Sequence, residues 1–139
     1  QRQMCIRDRE TAQLAFPDRQ VQPIADFDER GFGQWEGLTA DEIEAAFPEV
    51  WQAWLEAPFE VTPPEAEVFS DFQTRVWAAT DRLLDSAEES MALVAHLGVL
   101  RLIYQQLVDR EAVFWNIDVP QGRVLLLEER DQTWQATLL

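Results

Sequence analysis

The run Met91-Ala-Leu-Val-Ala95 constrains the fold more than any other stretch of the chain. It follows a polar turn, Glu88-Glu89-Ser90, and it has strand length. A strand with one wet face alternates apolar and polar side chains; this run does not, and so reads as a strand buried on both faces. His96 and Gly98 come at once afterwards, and a helix is expected from about Val99 to Leu107. A strand buried on both faces that feeds directly into a helix belongs to a layered α/β fold.

The rest of the chain agrees with that class. Glu10 to Phe16 reads as the later part of a helix, which Pro17 ends. Val21 to Ile24 is expected as a short strand, and Asp26 to Gly37 as a loop with Phe27, Phe32 and Trp35 interleaved. Thr39-Ala-Asp-Glu42 is a capping box that opens a helix through Phe47. Pro48 breaks that helix or starts the next, which carries Trp51, Trp54 and Leu55. Thr62-Pro63-Pro64 is a rigid break, and Ser70-Asp-Phe-Gln73 reads as a second capping box. The longest helix, about Ser70 to Ser86, shows one apolar stripe of Phe72, Val76, Ala79, Leu83 and Leu84. Val124 to Glu128 and Trp134 to Leu138 are expected as strands of a hairpin, turning over Glu129 to Gln132.

Charge and composition exclude several functions. The formal net charge is -15, and all 11 basic residues are arginine. A nucleic-acid binder needs clustered cations to neutralise phosphates, and a polybasic membrane module needs the same for lipid headgroups. No apolar run approaches the ~20 residues that span a bilayer, and no signal peptide is visible. One cysteine, Cys5, and one histidine, His96, make a protein-built zinc site improbable. An acidic cytoplasmic protein is expected, with no nucleic-acid or membrane partner, no metal and no cofactor.

Three local features could carry chemistry. The first is the junction strand–His96-Leu97-Gly98–helix. Ligands gather at the carboxyl ends of strands in α/β sheets, and a helix starting there offers free N–H groups to an anion. His96 at this point either donates to a phosphate, or merely caps the helix or packs near the core. The second is Glu29, in Glu29-Arg-Gly-Phe-Gly-Gln-Trp-Glu-Gly37. It is a general acid if its surroundings raise its pKa, or one more charge on a solvated loop. The third is Arg7 with Arg9, either phosphate clamps or two exposed cations.

Taken in order, Arg-x-x-Glu-Thr-Ala from Arg7, Glu-x-x-Phe-Gly-x-Trp-Glu-Gly from Glu29 and His-x-Gly-x-x-Arg from His96 resemble the histidine phosphatase superfamily. The likeness is to its phosphoglycerate mutase-like branch, and within that to α-ribazole phosphatases and broad-specificity bacterial phosphatases. It covers nearly the whole chain from Arg7 onward. It implies a three-layer α/β/α sandwich around a mostly parallel sheet. It also implies phosphomonoester hydrolysis, without a metal, through a phosphohistidine intermediate. His96 would match the second histidine, which hydrogen-bonds the phosphoryl oxygens; Glu29 would match the proton donor to the leaving alcohol. Arg7 would match a phosphate-binding arginine, Leu97 would lie beside the phosphate, and Arg101 would be structural. The partner implied is a small phosphorylated metabolite; the oligomeric state stays open.

The chain departs from the pattern in three places. The nucleophile's Arg-His-Gly motif is absent, so residues 1–139 are expected to form one incomplete domain, lacking the N-terminal strand and the catalytic turn. Such a fragment should be inactive by itself. Leu97 stands where the family usually has glycine. After Pro63-Pro64 the family often has Gly-Gly-Glu-Ser, and here the sequence is Glu65-Ala66-Glu67-Val68. These changes motivate an alternative, an inactive relative that binds or regulates. Residues 1–9 are expected to include non-native sequence, because Gln3 to Arg9 resembles translated sequencing-adapter read-through.

Overall fold

The computed structural model describes residues 2–86 and 90–139. Its helices are α1 (Arg2–Ala15), α2 (Ala40–Ala46), α3 (Pro48–Glu56), α4 (Phe69–Asp85) and α5 (Leu97–Leu107). The strands β1 (Leu125–Arg130) and β2 (Thr133–Leu138) form an antiparallel hairpin. The content is α/β, and this hairpin is the only sheet among the described residues.

The core lies between α4 and α5. Phe72, Val76 and Ala79 of α4 meet Val99, Leu102 and Ile103 of α5, with Phe27 and Phe114 closing the cluster. The apolar stripe expected on α4 supplies these contacts, and Leu83 packs against their edge. Polar links also run between the two helices, among them a hydrogen bond that the Gln106 amide donates to the Trp77 carbonyl at 3.1 Å. The Trp77 indole N–H donates to the Leu102 carbonyl at 2.9 Å, and the Gln106 amide donates to Asp81 at 2.7 Å.

A second cluster is aromatic. Trp51 and Trp54 of α3 stack at 5.7 Å, and Trp35 meets both edge-on at 5.6 Å. Trp35 is buried, so these indoles hold α3 onto the loop that carries Glu29. Phe59 stacks on Trp115 at 5.6 Å and tilts against Phe69 at 4.6 Å, joining that layer to the start of α4.

Several expectations hold. The Thr39–Glu42 capping box is present in both directions, and Pro48 occupies the first turn of α3. The hairpin forms, but β1 runs on to Arg130 and the turn is only Asp131-Gln132. Both turn residues have positive φ, 51° and 63°, as a type I′ turn requires.

Others do not. Ser70 caps nothing: α4 begins at Phe69, its N-cap is Val68, and no side chain caps it. Packing sets that start, because Phe69 sits among Phe59, Phe72 and Phe114. Val21 to Ile24 and Met91 to Ala95 form no strand. A strand exists only when paired, and neither segment has a hydrogen-bonded neighbour among the described residues. Even so, Leu93 and Ala95 pack against the core cluster, the two-residue period of an extended segment. Of the expected turn Glu88-Glu89-Ser90, Glu88 and Glu89 lie outside the described residues. α5 starts at Leu97 rather than Val99, whereas Glu10 onward is, as expected, the later part of a helix, one that begins at Arg2.

Candidate active site

Three segments meet at the N-terminus of α5: the His96 junction itself, α1 and the loop that carries Glu29. His96 is the N-cap residue, with an extended backbone (φ -78°, ψ 162°) and no side-chain capping bond. Its ring is therefore free to face α1 instead. Nδ1 lies 2.8 Å from Asp8 Oδ2, and Nε2 lies 3.3 Å from Arg7 Nη2. A guanidinium only donates, so Nε2 is the acceptor, and Nδ1–H donates to Asp8. His96 occupies the N-cap position but its side chain makes no capping bond, and its ring is held in a defined tautomer between Asp8 and Arg7.

Glu29 arrives from the other side. Its Oε2 accepts from the Gly98 N–H at 3.0 Å, and its Oε1 accepts from the Arg30 N–H at 2.9 Å. The carboxylate thus sits on the free N–H groups and partial positive charge of the α5 N-terminus. Gly98 makes the approach possible, since a Cβ there would lie 2.8 Å from Glu29 Oε2 and closer still to Oε1.

The loop carrying Glu29 is anchored from α4 and from the segment after the proline pair. The Arg75 guanidinium donates to the carbonyls of Asp26 and Asp28 at 2.8 Å and of Glu29 at 3.3 Å. It also grips Glu67 through two oxygens, at 2.6 and 2.9 Å. Glu67 in turn donates its N–H to the Gly31 carbonyl at 2.9 Å, and its own carbonyl accepts from Arg30 Nε at 3.0 Å. Arg30 is buried between the Phe32 and Phe69 rings. Burial lowers its pKa, and the charges of Glu67 and Glu29 pull it back up.

The structure therefore brings together Arg7, Glu29 and His96. Leu97 is the first residue of α5, beside them and half-buried. Arg9 is exposed. Arg101 turns away: Nε donates to the Ile117 carbonyl at 2.8 Å, and the guanidinium covers the Phe114 and Trp115 rings. Its work is structural, as the resemblance implies. Sequence reasoning missed Asp8, and no local signal marks it, because its partner lies 88 residues away. It also gave Arg75 no role. Among the described residues no group of three or more His, Cys, Asp or Glu is placed to hold a metal ion.

Residues 5–139 match the Histidine phosphatase superfamily (branch 1). The chain belongs to that superfamily. It is 32% identical over 120 residues to the adenosylcobalamin/α-ribazole phosphatase of Escherichia coli K12, an alignment covering 84% of this chain and 59% of that protein. It is 34% identical over 85 residues to a bifunctional protein of Mycobacterium tuberculosis, covering 60% of this chain and 23% of the other. Among solved structures, the α-ribazole phosphatase of Shigella flexneri superposes with a TM-score of 0.85 at 26% identity, over 96% of this chain and 68% of its own. The protein YhfR of Bacillus stearothermophilus gives 0.77 at 26% identity, over 95% and 68%. The chain thus spans 59% of the E. coli relative and less of the mycobacterial one. No helix among the described residues is long and apolar enough to cross a membrane.

Proposed function

We propose that the chain is the larger part of a cytoplasmic, metal-independent phosphomonoesterase of the histidine phosphatase type. Its substrate is a small phosphorylated metabolite. The observation that carries this is the Glu29 carboxylate seated on the Gly98 N–H, two residues from His96, at the first turn of α5. A phosphoryl group between Arg7 and His96 would receive hydrogen bonds from both. His96 would then carry a second proton on Nε2, and Asp8 on Nδ1 supports that imidazolium. Charge developing on the phosphoryl oxygens is stabilised by this pair.

The nucleophile this mechanism needs is the histidine of an Arg-His-Gly motif, which the chain given lacks and the parent would have to supply, together with the central strand of a three-layer α/β/α sandwich. Its imidazole attacks phosphorus as the bond to the leaving oxygen breaks, and Glu29, which has to enter this step in its protonated form, gives that oxygen its proton. Water then hydrolyses the phosphohistidine and releases phosphate, with Glu29 as the base that takes the water's proton. The names of the E. coli and Shigella relatives make α-ribazole phosphate the first substrate to try.

The test is to read the upstream DNA, express the parent and assay a broad panel of phosphomonoesters. Phosphate release is expected, reduced about 10²–10⁴-fold in Glu29→Gln and about 10²–10³-fold in His96→Ala. An upstream frame without Arg-His-Gly, or no release from any substrate, would overturn the reading in favour of an inactive binding relative.

A further inference from the structure

We infer that Arg75 and Glu67 form a positioning pair that places the Glu29 carboxylate on the α5 N-terminus. The inference rests on the reading of Glu29 as the proton donor and adds to it the device that aims it. Neither residue is expected to touch the substrate.

The geometry is specific. Every N–H of the Arg75 guanidinium has an acceptor. Nε and one Nη2 proton go to the two oxygens of Glu67, both Nη1 protons go to the Asp26 and Asp28 carbonyls, and the other Nη2 proton goes to the Glu29 carbonyl. Three carbonyls within four residues of one loop thus converge on a single side chain of α4. With three of its carbonyls held by one cation, the loop cannot turn them elsewhere, and this fixes the direction in which the Glu29 side chain leaves the backbone. Glu67 supplies the counter-charge that keeps the guanidinium in place, with side-chain exposures of 22% and 21% for the pair. It also tethers the loop by its own backbone, through Gly31 and Arg30. The segments then lie so close that a Cβ on Gly33 would fall 2.5 Å from the Ala66 nitrogen.

α4 is itself pinned to α5 by Val76 and Leu102, both without solvent exposure. Arg75 therefore carries the α4–α5 spacing into the Glu29 loop. The pair couples the packed core to the 3.0 Å contact between Glu29 and Gly98. Lysine cannot replace Arg75, because an ammonium presents three donors in a tetrahedral cone rather than a planar fork.

The test uses the chain as it stands and reads position rather than turnover. The Gly98 and Arg30 amide proton shifts should both titrate with the Glu29 carboxyl in the NMR spectrum of the wild type, and Glu29→Gln should abolish that titration. In Arg75→Lys, and in the milder Glu67→Gln, the Gly98 titration should be lost or greatly reduced while the methyl signals of Val76 and Leu102 stay in place. Unchanged amplitude and midpoint at Gly98 in a folded Arg75→Lys or Glu67→Gln protein would overturn the inference. Should Arg75→Lys fail to fold, Glu67→Gln decides by the same two outcomes, and should neither fold, the pair is structural and the inference fails. A wild type in which Gly98 does not follow Glu29 also overturns it. None of these results touches the phosphatase reading, which stands or falls on phosphate release by the parent.

Discussion

Gly98 occupies a position where the smallest added side chain would collide with Glu29. Its backbone is ordinary helix, so alanine there carries no conformational penalty and gains about 1 kcal/mol of helix propensity over glycine. Any harm from Gly98→Ala must therefore come from Glu29 being pushed off the α5 N-terminus. In the parent enzyme this variant is expected to keep its melting temperature within a few degrees and to lose about 10²-fold or more in kcat. Steady-state kinetics beside a thermal melt would separate the two; a parallel fall in both would mean that the glycine serves packing alone. The same residue shows what the sequence could reveal. Glycine next to His96 was visible as part of an α/β junction, but its reason is a contact with Glu29, 69 residues away. Only the family resemblance linked the two residues, because spacing along the chain carries no information about such a meeting. The Asp8–His96 pair and the Arg75 fork were illegible for the same cause.

Elements were legible where their determinants are local. The capping box that opens α2 closes within four residues and forms as written, with Thr39 N–H donating to Glu42 at 2.8 Å. Its pH dependence follows from the Glu42 carboxyl, whose pKa the hydrogen bonds from the Thr39 backbone and hydroxyl hold below the ordinary glutamate range. The folded state favours the carboxylate, so this stabilisation is full above the unfolded pKa and is lost as pH falls through the lower folded value. Thr39→Ala should cost about 1 kcal/mol near neutral pH, and less in acid where the glutamate no longer reciprocates; urea melts at the two conditions would show it. The second expected box, at Ser70, fails because Phe69 is drawn into an aromatic cluster whose members lie far along the chain. Hairpin turns are local as well. Asp131-Gln132 forms the two-residue turn with both residues at positive φ, a conformation that costs an ordinary side chain about 1 kcal/mol or more. Gln132→Gly should therefore raise stability by about 0.5–1 kcal/mol, read as a higher urea midpoint with an unchanged slope.

At the scale of the whole molecule, two opposed features decide how the isolated chain behaves in solution. The run Met91 to Ala95, expected as a doubly buried strand, forms no strand and leaves Met91 and Ala92 exposed, because its pairing depends on a neighbour that no local pattern supplies. The consequence is apolar surface on or beside extended segments: Met91 is 44% exposed, Val124 58%, Leu126 38% and Leu138 44%. Both hairpin strands also have one edge with no strand beside it among the described residues. Free edges with apolar side chains are templates for pairing with another copy. Against this stands a net charge of -15, which makes copies repel. The repulsion is long-ranged only at low ionic strength, because the Debye length falls from ~30 Å at 0.01 M to ~8 Å at 0.15 M and ~3 Å at 1 M. Apolar contact and strand pairing are short-ranged and survive screening. The chain is thus expected to be most nearly monomeric in dilute buffer and to self-associate as sodium chloride is raised, the reverse of a complex held by opposite charges. Gel filtration with light scattering across that range checks the sign, and a second run on Leu126→Lys checks the surface. Lysine on the exposed face of β1 should restore the monomer at high salt, and a monomer at every salt concentration in the unaltered chain would mean that these edges are already protected.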